Sequence, residues 1–266
     1  MNRQKGEIVV DGRRLETLWL PPKARQNPTI VFLHEGLGSV SLWKDFPHRV
    51  AERTGYGVLV YSRYGHGDSE RLEEKRPVEF MHHEAKIVLP ELLKILAIER
   101  PILLGHSDGG SIALIYASVH PNSVRALILE APHVFVEDLT VRSIAEIGRR
   151  YRTSDLSSKL GRHHRHVDAT FWGWNDIWLD PKFRSWNIES YLEPIACPVL
   201  LVQGHDDEYG TMRQVETIQS KLPSAETLLL PNCGHSPHRD QPEETLESIA
   251  RFVTTLPWGS VPNDQA

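Results

Sequence analysis

Apolar residues fall along this chain in two rhythms. Short, nearly continuous runs at residues 28–33, 57–61, 101–104, 124–129, 199–202 and 227–230 have the length of strands. Between them lie longer stretches in which apolar positions recur every three or four residues. Residues 41–52 carry Leu42, Phe46 and Val50, and residues 84–98 carry Ile87, Leu89, Leu92, Leu93 and Leu96. Residues 111–119 and the span from Pro242 towards Thr254 read the same way, so each predicts a helix. Near the start, residues 8–10 and 15–20 flank Asp11-Gly12, a hairpin signal that adds two antiparallel strands. Continuous apolar strands alternating with helices predict an α/β fold. Its mostly parallel, eight-stranded sheet should be covered by helices on both faces.

The alternation stops between Pro132 and Pro194. That stretch is rich in charged and aromatic residues and offers no strand, and helices are expected over residues 143–151 and 154–160. Phe171-Trp172-Gly173-Trp174 follows, with Trp178 and Trp186 beyond. A segment this long is not a bare loop in a compact domain. It predicts a helical cap over 133–193, inserted between two parts of the core at 1–132 and 194–266. From Pro257 on, the tail is expected to fray.

Composition narrows the class without choosing the chemistry. The chain has 266 residues, a net charge of -5 and charges of both signs interspersed, which argues against a nucleic-acid or membrane-surface partner. No apolar run approaches the length needed to span a bilayer. Residues 1–12 are polar and lack the apolar stretch of a secretory signal. Cys197 and Cys233 are the sole cysteines, too few for a disulfide framework, so a cytoplasmic protein with reduced thiols is expected. Neither a dinucleotide fingerprint after the first strand nor a P-loop is present, and no cofactor is expected.

The chemistry gathers at Gly105-His106-Ser107-Asp108-Gly109-Gly110, set between a predicted buried strand and a predicted helix. In that context Gly-x-Ser-x-Gly reads as a nucleophile elbow, with small residues letting strand and helix approach while the turn lifts the Ser107 hydroxyl. A serine hydroxyl needs a base, and the base an orienting acid. Two late loops at strand ends supply them: Gly204-His205-Asp206-Asp207 and Cys233-Gly234-His235. His235 is the expected base. Asp207, Asp206 and Glu130, the last at a strand end, are the candidate acids. Other features have plainer readings. His163, His164, His166 and Asp168 lack metal-ligand spacing and are expected on a solvated cap face. Asp240 is expected to cap the final helix.

The chain resembles the α/β-hydrolase superfamily, in its capped esterase and C–C-hydrolase-like branch. The resemblance rests on His34-Glu35-Gly36-Leu37-Gly38, Gly65-His66-Gly67-Asp68-Ser69, residues 105–110, residues 204–207 and Gly234-His235. It implies Asp207 over Asp206 as the acid. It also implies an oxyanion hole built from the backbone N–H groups of Gly36 and Asp108. Glu35 departs from the usual glycine after the histidine. It is expected to face solvent as a brace with Arg63, the other reading being that it lines the pocket and disfavours anionic acyl groups. Ser62 replaces an aspartate common after that strand and is expected to be structural. Glu35, Leu37, Trp172 and Trp174 are the candidate substrate-binding residues, although the tryptophans fit the core of the cap equally well.

These readings converge on a serine hydrolase acting on a small-molecule substrate, a small to medium carboxylic ester with an apolar or aromatic part. Hydrolysis of a C–C bond in a ring-fission product, and of a thioester, use the same triad. A non-catalytic receptor on the same fold is the alternative from another class.

Overall fold

The computed structural model describes residues 4–256, so the tail expected to fray from Pro257 lies outside the described residues. The chain opens with β1 (Gln4–Val10) and β2 (Arg13–Leu20), paired antiparallel with Val10 opposite Arg13. Asp11 and Gly12 between them both take positive φ, 50° and 69°. That is the type I′ geometry whose twist matches a hairpin. The remaining strands are β3 (Thr29–Leu33), β4 (Gly57–Tyr61), β5 (Ile102–His106), β6 (Ala126–Glu130), β7 (Val199–Gly204) and β8 (Glu226–Leu230). The eight strands form one sheet in the order β1-β2-β4-β3-β5-β6-β7-β8. Only the pairings of β2 are antiparallel; those from β4 to β8 are parallel.

The central strands carry continuous apolar runs because both faces of the sheet are covered. Val31, Leu33, Leu59, Tyr61, Leu103, Leu127 and Leu129 point to one core, and Ile30, Phe32, Val58, Val60, Leu104 and Ile128 to the other. On the second face lie α1 (Phe46–Thr54) and α10 (Pro242–Thr255), tied at their surface by ion pairs Arg49–Glu243 and Arg53–Glu247. The first face carries α2 (Phe80–His83), a π turn at Glu84–Val88, α3 (Leu89–Ile95) and α4 (Asp108–Val119). The helix expected over 84–98 thus starts earlier and ends sooner. The π turn shifts the register at its start, so Ala85 and Val88 are buried while Ile87 faces outward; Leu96 is exposed just beyond the end of α3 at Ile95. A five-residue hydrogen-bond step is invisible to a 3.6-residue template.

Between β6 and β7 run α5 (Asp138–Thr153), α6 (Leu156–Leu160) and α7 (Val167–Leu179). Gly148 of α5 sits against Asn175 of α7, whose side-chain amide donates to the Ile144 carbonyl at 2.9 Å. Their aromatic residues join the first core, Phe171 stacking on Tyr151 with ring centroids 3.7 Å apart. After β7 come α8 (Met212–Lys221), then α9 (Pro237–Asp240) directly before α10. Asp240 does not cap α10: it closes α9, and its carboxylate accepts from the Gly234 N–H at 2.9 Å. No helix among the described residues is long and apolar enough to cross a membrane.

Candidate active site

Ser107 stands where β5 gives way to α4, with φ 52° and ψ -117°. A side-chain-bearing residue holds that conformation only when its surroundings enforce it. Here they do. A Cβ on Gly105 would lie 2.3 Å from the Gly109 carbonyl oxygen, and one on Gly109 would lie 1.9 Å from that of Leu33. Strand and helix therefore touch through backbone, and the Ser107 N–H is tied to the Glu130 carbonyl at 2.9 Å. The first amides of α4, beginning with Asp108, have no partner within the helix and concentrate its positive pole.

His235 and Asp207 come from the loops after β8 and β7. The His235 Nδ1 lies 2.8 and 2.9 Å from the two carboxylate oxygens of Asp207. The carboxylate also accepts from the Gln203 amide at 2.7 Å and from the N–H groups of Tyr209 and Gly210 at 2.7 and 3.1 Å. Burial works against its charge, but the His235 ring and these donors hold the Asp207 carboxyl well below the usual carboxylate range. The His235 backbone is gripped from both sides, its N–H by Glu208 at 3.1 Å and its carbonyl by His106 Nε2 at 2.7 Å. The other two candidate acids lie elsewhere. Asp206 is exposed, and the buried Glu130 accepts from His238 Nδ1 at 2.6 Å.

The loop after β3 is pinned by its carbonyls. Arg63 donates to the Glu35 carbonyl at 2.8 Å, His66 Nε2 to that of Gly36 at 3.0 Å, and His164 Nε2 to that of Leu37 at 2.8 Å. In a trans peptide the N–H points opposite to the C=O, so fixing the Glu35 carbonyl aims the Gly36 N–H the other way. His34 accepts from the Arg63 N–H through Nε2 at 3.0 Å, leaving its Nδ1–H to donate to the Glu35 carbonyl at 2.7 Å. His164 accepts from the Gly67 N–H at 2.9 Å. These imidazoles are held neutral. Burial, seconded by Arg63 for His34 and by Arg76 for His66, pushes both well below the ordinary range, and burial lowers His164 as well.

Ser107, His235, Glu35, Gly36, Leu37 and Trp174 all line one cavity of 220 Å³. The indole of Trp174 lies on Gly36 so closely that a Cβ there would sit 2.0 Å from its Nε1. Residues 30–248 match the model of the alpha/beta hydrolase family. The chain belongs to that family. It is 24% identical to a proline iminopeptidase of Lactobacillus helveticus over 86% of this chain and 90% of that protein. It is 23% identical to an sn-1-specific diacylglycerol lipase of Mus musculus, covering 85% of this chain and 81% of the other. Among solved structures, an esterase of Exiguobacterium antarcticum superposes with a TM-score of 0.77 over 95% of this chain and all of that one, at 20% identity. Membership of the alpha/beta hydrolase family makes the chain a hydrolase.

Within this alpha/beta hydrolase, several expected positions are corrected by packing. Trp172 does not line the cavity: its ring packs edge-on against Tyr151 with the Arg152 guanidinium 4.4 Å above it. Glu35 is no solvated brace. Arg63 reaches its carbonyl, whereas its carboxylate lines the cavity 3.5 Å from His106 Nδ1. Burial opposes both charges, yet the proximity of the two groups lowers the Glu35 pKa and raises that of His106. His164 is buried and joins the segment between β6 and β7 to the loops at Leu37 and Gly67 rather than facing solvent. Ser62 is structural, donating to Glu16 at 2.7 Å and accepting from the Val40 N–H at 2.9 Å. His133, Tyr209 and Trp178 also line the cavity, and only a tertiary contact could have revealed them.

Proposed function

We propose that this hydrolase cleaves small to medium carboxylic esters through an acyl-enzyme on Ser107. The observation that carries this reading is a strained serine at a strand–helix elbow, opening on the same cavity as a histidine that is hydrogen-bonded to a buried carboxylate. His235 takes the Ser107 proton as Oγ attacks the carbonyl carbon, and Asp207 holds the ring in the tautomer that leaves Nε2 free to accept. The oxyanion is received by the N–H groups of Gly36 and Asp108. Each such donor typically contributes about 3 kcal/mol to the transition state. His235 then gives its proton to the departing alkoxide, and water repeats the sequence to release the acid. The segment 133–193 acts as a cap whose Trp174 roofs the cavity.

The cavity volume of 220 Å³ favours a compact substrate. The proline iminopeptidase relative supports a second reading, cleavage of an N-terminal amide by the same machinery. One panel separates the two. It pairs p-nitrophenyl esters of graded acyl length with a prolyl anilide, alongside fluorophosphonate labelling. The short esters are expected to turn over fastest and the label to sit on Ser107. Ser107→Ala is expected to abolish labelling and to lower kcat by about 10⁶-fold while the fold survives. Preferred hydrolysis of the anilide would replace the ester reading, and an active Ser107→Ala would end both.

A further inference from the structure

His133 follows β6, and the mechanism above has no use for it. It is 2% exposed, and it lines the cavity that holds Ser107 and His235. Its ring centroid lies 5.7 Å from that of His235 and 5.3 Å from that of Trp178. Its backbone is fixed, the carbonyl accepting from Ser111 Oγ at 2.6 Å and the next N–H donating to Gln214 at 2.8 Å. Yet its Nδ1 is buried and has no hydrogen-bond partner among the described residues. His106 Nδ1 is also without a hydrogen bond, but its ring, like those of the other buried histidines around the site, is anchored by a hydrogen bond of its own. His34, His66, His106, His164 and His238 each hold a backbone or carboxylate oxygen.

A buried polar nitrogen without a partner is costly and calls for an explanation. A phenyl ring would fill the same space at no such cost. The ring is also kept uncharged: burial first, then the neighbouring His235 and His106, hold its pKa at about 3. Around neutrality it therefore offers one N–H and one lone pair. That combination suits a hydroxyl, keto or ether oxygen. Glu35 and Glu208, which line the same cavity, oppose an anionic group.

We propose that His133 is a specificity-determining residue, hydrogen-bonding an uncharged oxygen carried by the substrate near the scissile bond, so that oxygenated esters are preferred to plain alkyl ones. This rests on Ser107 being the nucleophile. A site built to bind such an oxygen rejects the analogue that lacks it, because its own polar group is then left unpaired.

The test uses the full chain, its His133→Phe and His133→Gln variants, and two matched ester pairs. One pair is p-nitrophenyl butyrate and 3-hydroxybutyrate, which probes the acyl side. The other is the butyl and 2-methoxyethyl esters of one acid, which probes the alcohol side. The wild type is expected to prefer the oxygenated member of at least one pair. His133→Phe should lose about five- to tenfold in kcat/KM on that member and less than about twofold on its plain partner, and His133→Gln should retain part of the preference. His133→Phe should melt at or above the wild-type temperature, since it removes an unpaired polar group. Equal losses on both members of each pair, no wild-type preference, or a melt far below wild type would each overturn the proposal. Absence of fluorophosphonate labelling at Ser107 would instead remove the reading on which it stands.

Discussion

The Asp207 carboxylate accepts from four donors: the His235 ring, the Gln203 amide and the N–H groups of Tyr209 and Gly210. No orientation of an asparagine side chain reproduces this set, because its NH₂ would face at least one donor. Asp207→Asn should therefore turn the His235 ring into the wrong tautomer, lowering kcat about 10⁴-fold with little change in KM. Steady-state kinetics check this, and a variant within tenfold of wild type would remove Asp207 from its role. At this scale the sequence was legible where chemistry is written locally. Gly105 to Gly110 reads as an elbow in six consecutive residues, and the two late loops follow strand ends. It was mute where partners are distant. The His106 ring meets the carbonyl of His235, 129 positions away, and His238 takes up Glu130 from 108 positions away. His133 carries no local motif at all.

The junction of β5 and α4 is the least tolerant element of the fold. Gly109 packs its α-carbon against the Leu33 carbonyl oxygen, where a methyl group would arrive at 1.9 Å. The obstacle is backbone in the middle of the sheet, so no rotamer relieves it. Gly109→Ala is expected to destabilise the protein by more than about 4 kcal/mol, in the class reserved for disrupted cores, and to recover little soluble protein. Gly161→Ala serves as the control: it meets the Ser157 carbonyl at 3.2 Å just after α6 and should melt near wild type. Similar melts for the two variants would refute the close-packing argument. Strands were easy to read for a related reason. A sheet buried on both faces demands uninterrupted apolar runs, whereas the helix at 80–95 hid a π turn and an early end that left Ile87 and Leu96 at the surface instead of in the expected core. The segment between β6 and β7 was recognisable as helical by what it lacks, strands, but its internal packing was not, so Trp172 and Trp174 were indistinguishable.

Over the whole molecule, buried neutral histidines set how stability responds to acid. His34, His66, His133 and His164 all have pKa values lowered by burial in the folded state. In the unfolded chain each titrates near about 6.5. Below that pH the unfolded chain binds more protons than the folded one, so stability falls as pH falls. Each histidine contributes a slope approaching about 1.4 kcal/mol per pH unit, and four together would consume a typical stability of about 5–15 kcal/mol within a few units. His106 has the opposite sign, because its folded pKa is raised. Its contribution is present below about pH 6.5 and is lost as pH rises through the folded value; the carboxyls of Glu84 and Asp108, raised by burial, act in the same sense, and the lowered imidazoles outnumber these three groups. The depressed carboxyls of Glu35, Glu130 and Asp207 contribute above the unfolded value near about 4 and weaken only below it. The first loss on acidification therefore belongs to the histidines. Melting temperature should hold steady from about pH 8 to 7 and drop steeply below about 6.5. His164→Gln should reduce that slope by about one proton, since glutamine offers uncharged donor and acceptor groups to the Leu37 carbonyl and Gly67 N–H. Thermal melts across this range, paired with proton uptake on unfolding, decide the matter. A melting temperature unchanged down to pH of about 5 would mean that these imidazoles are charged in the folded protein, including His34 and His164, each of which accepts a backbone N–H, and the carbonyls of the loop at 35–37 would need other anchors.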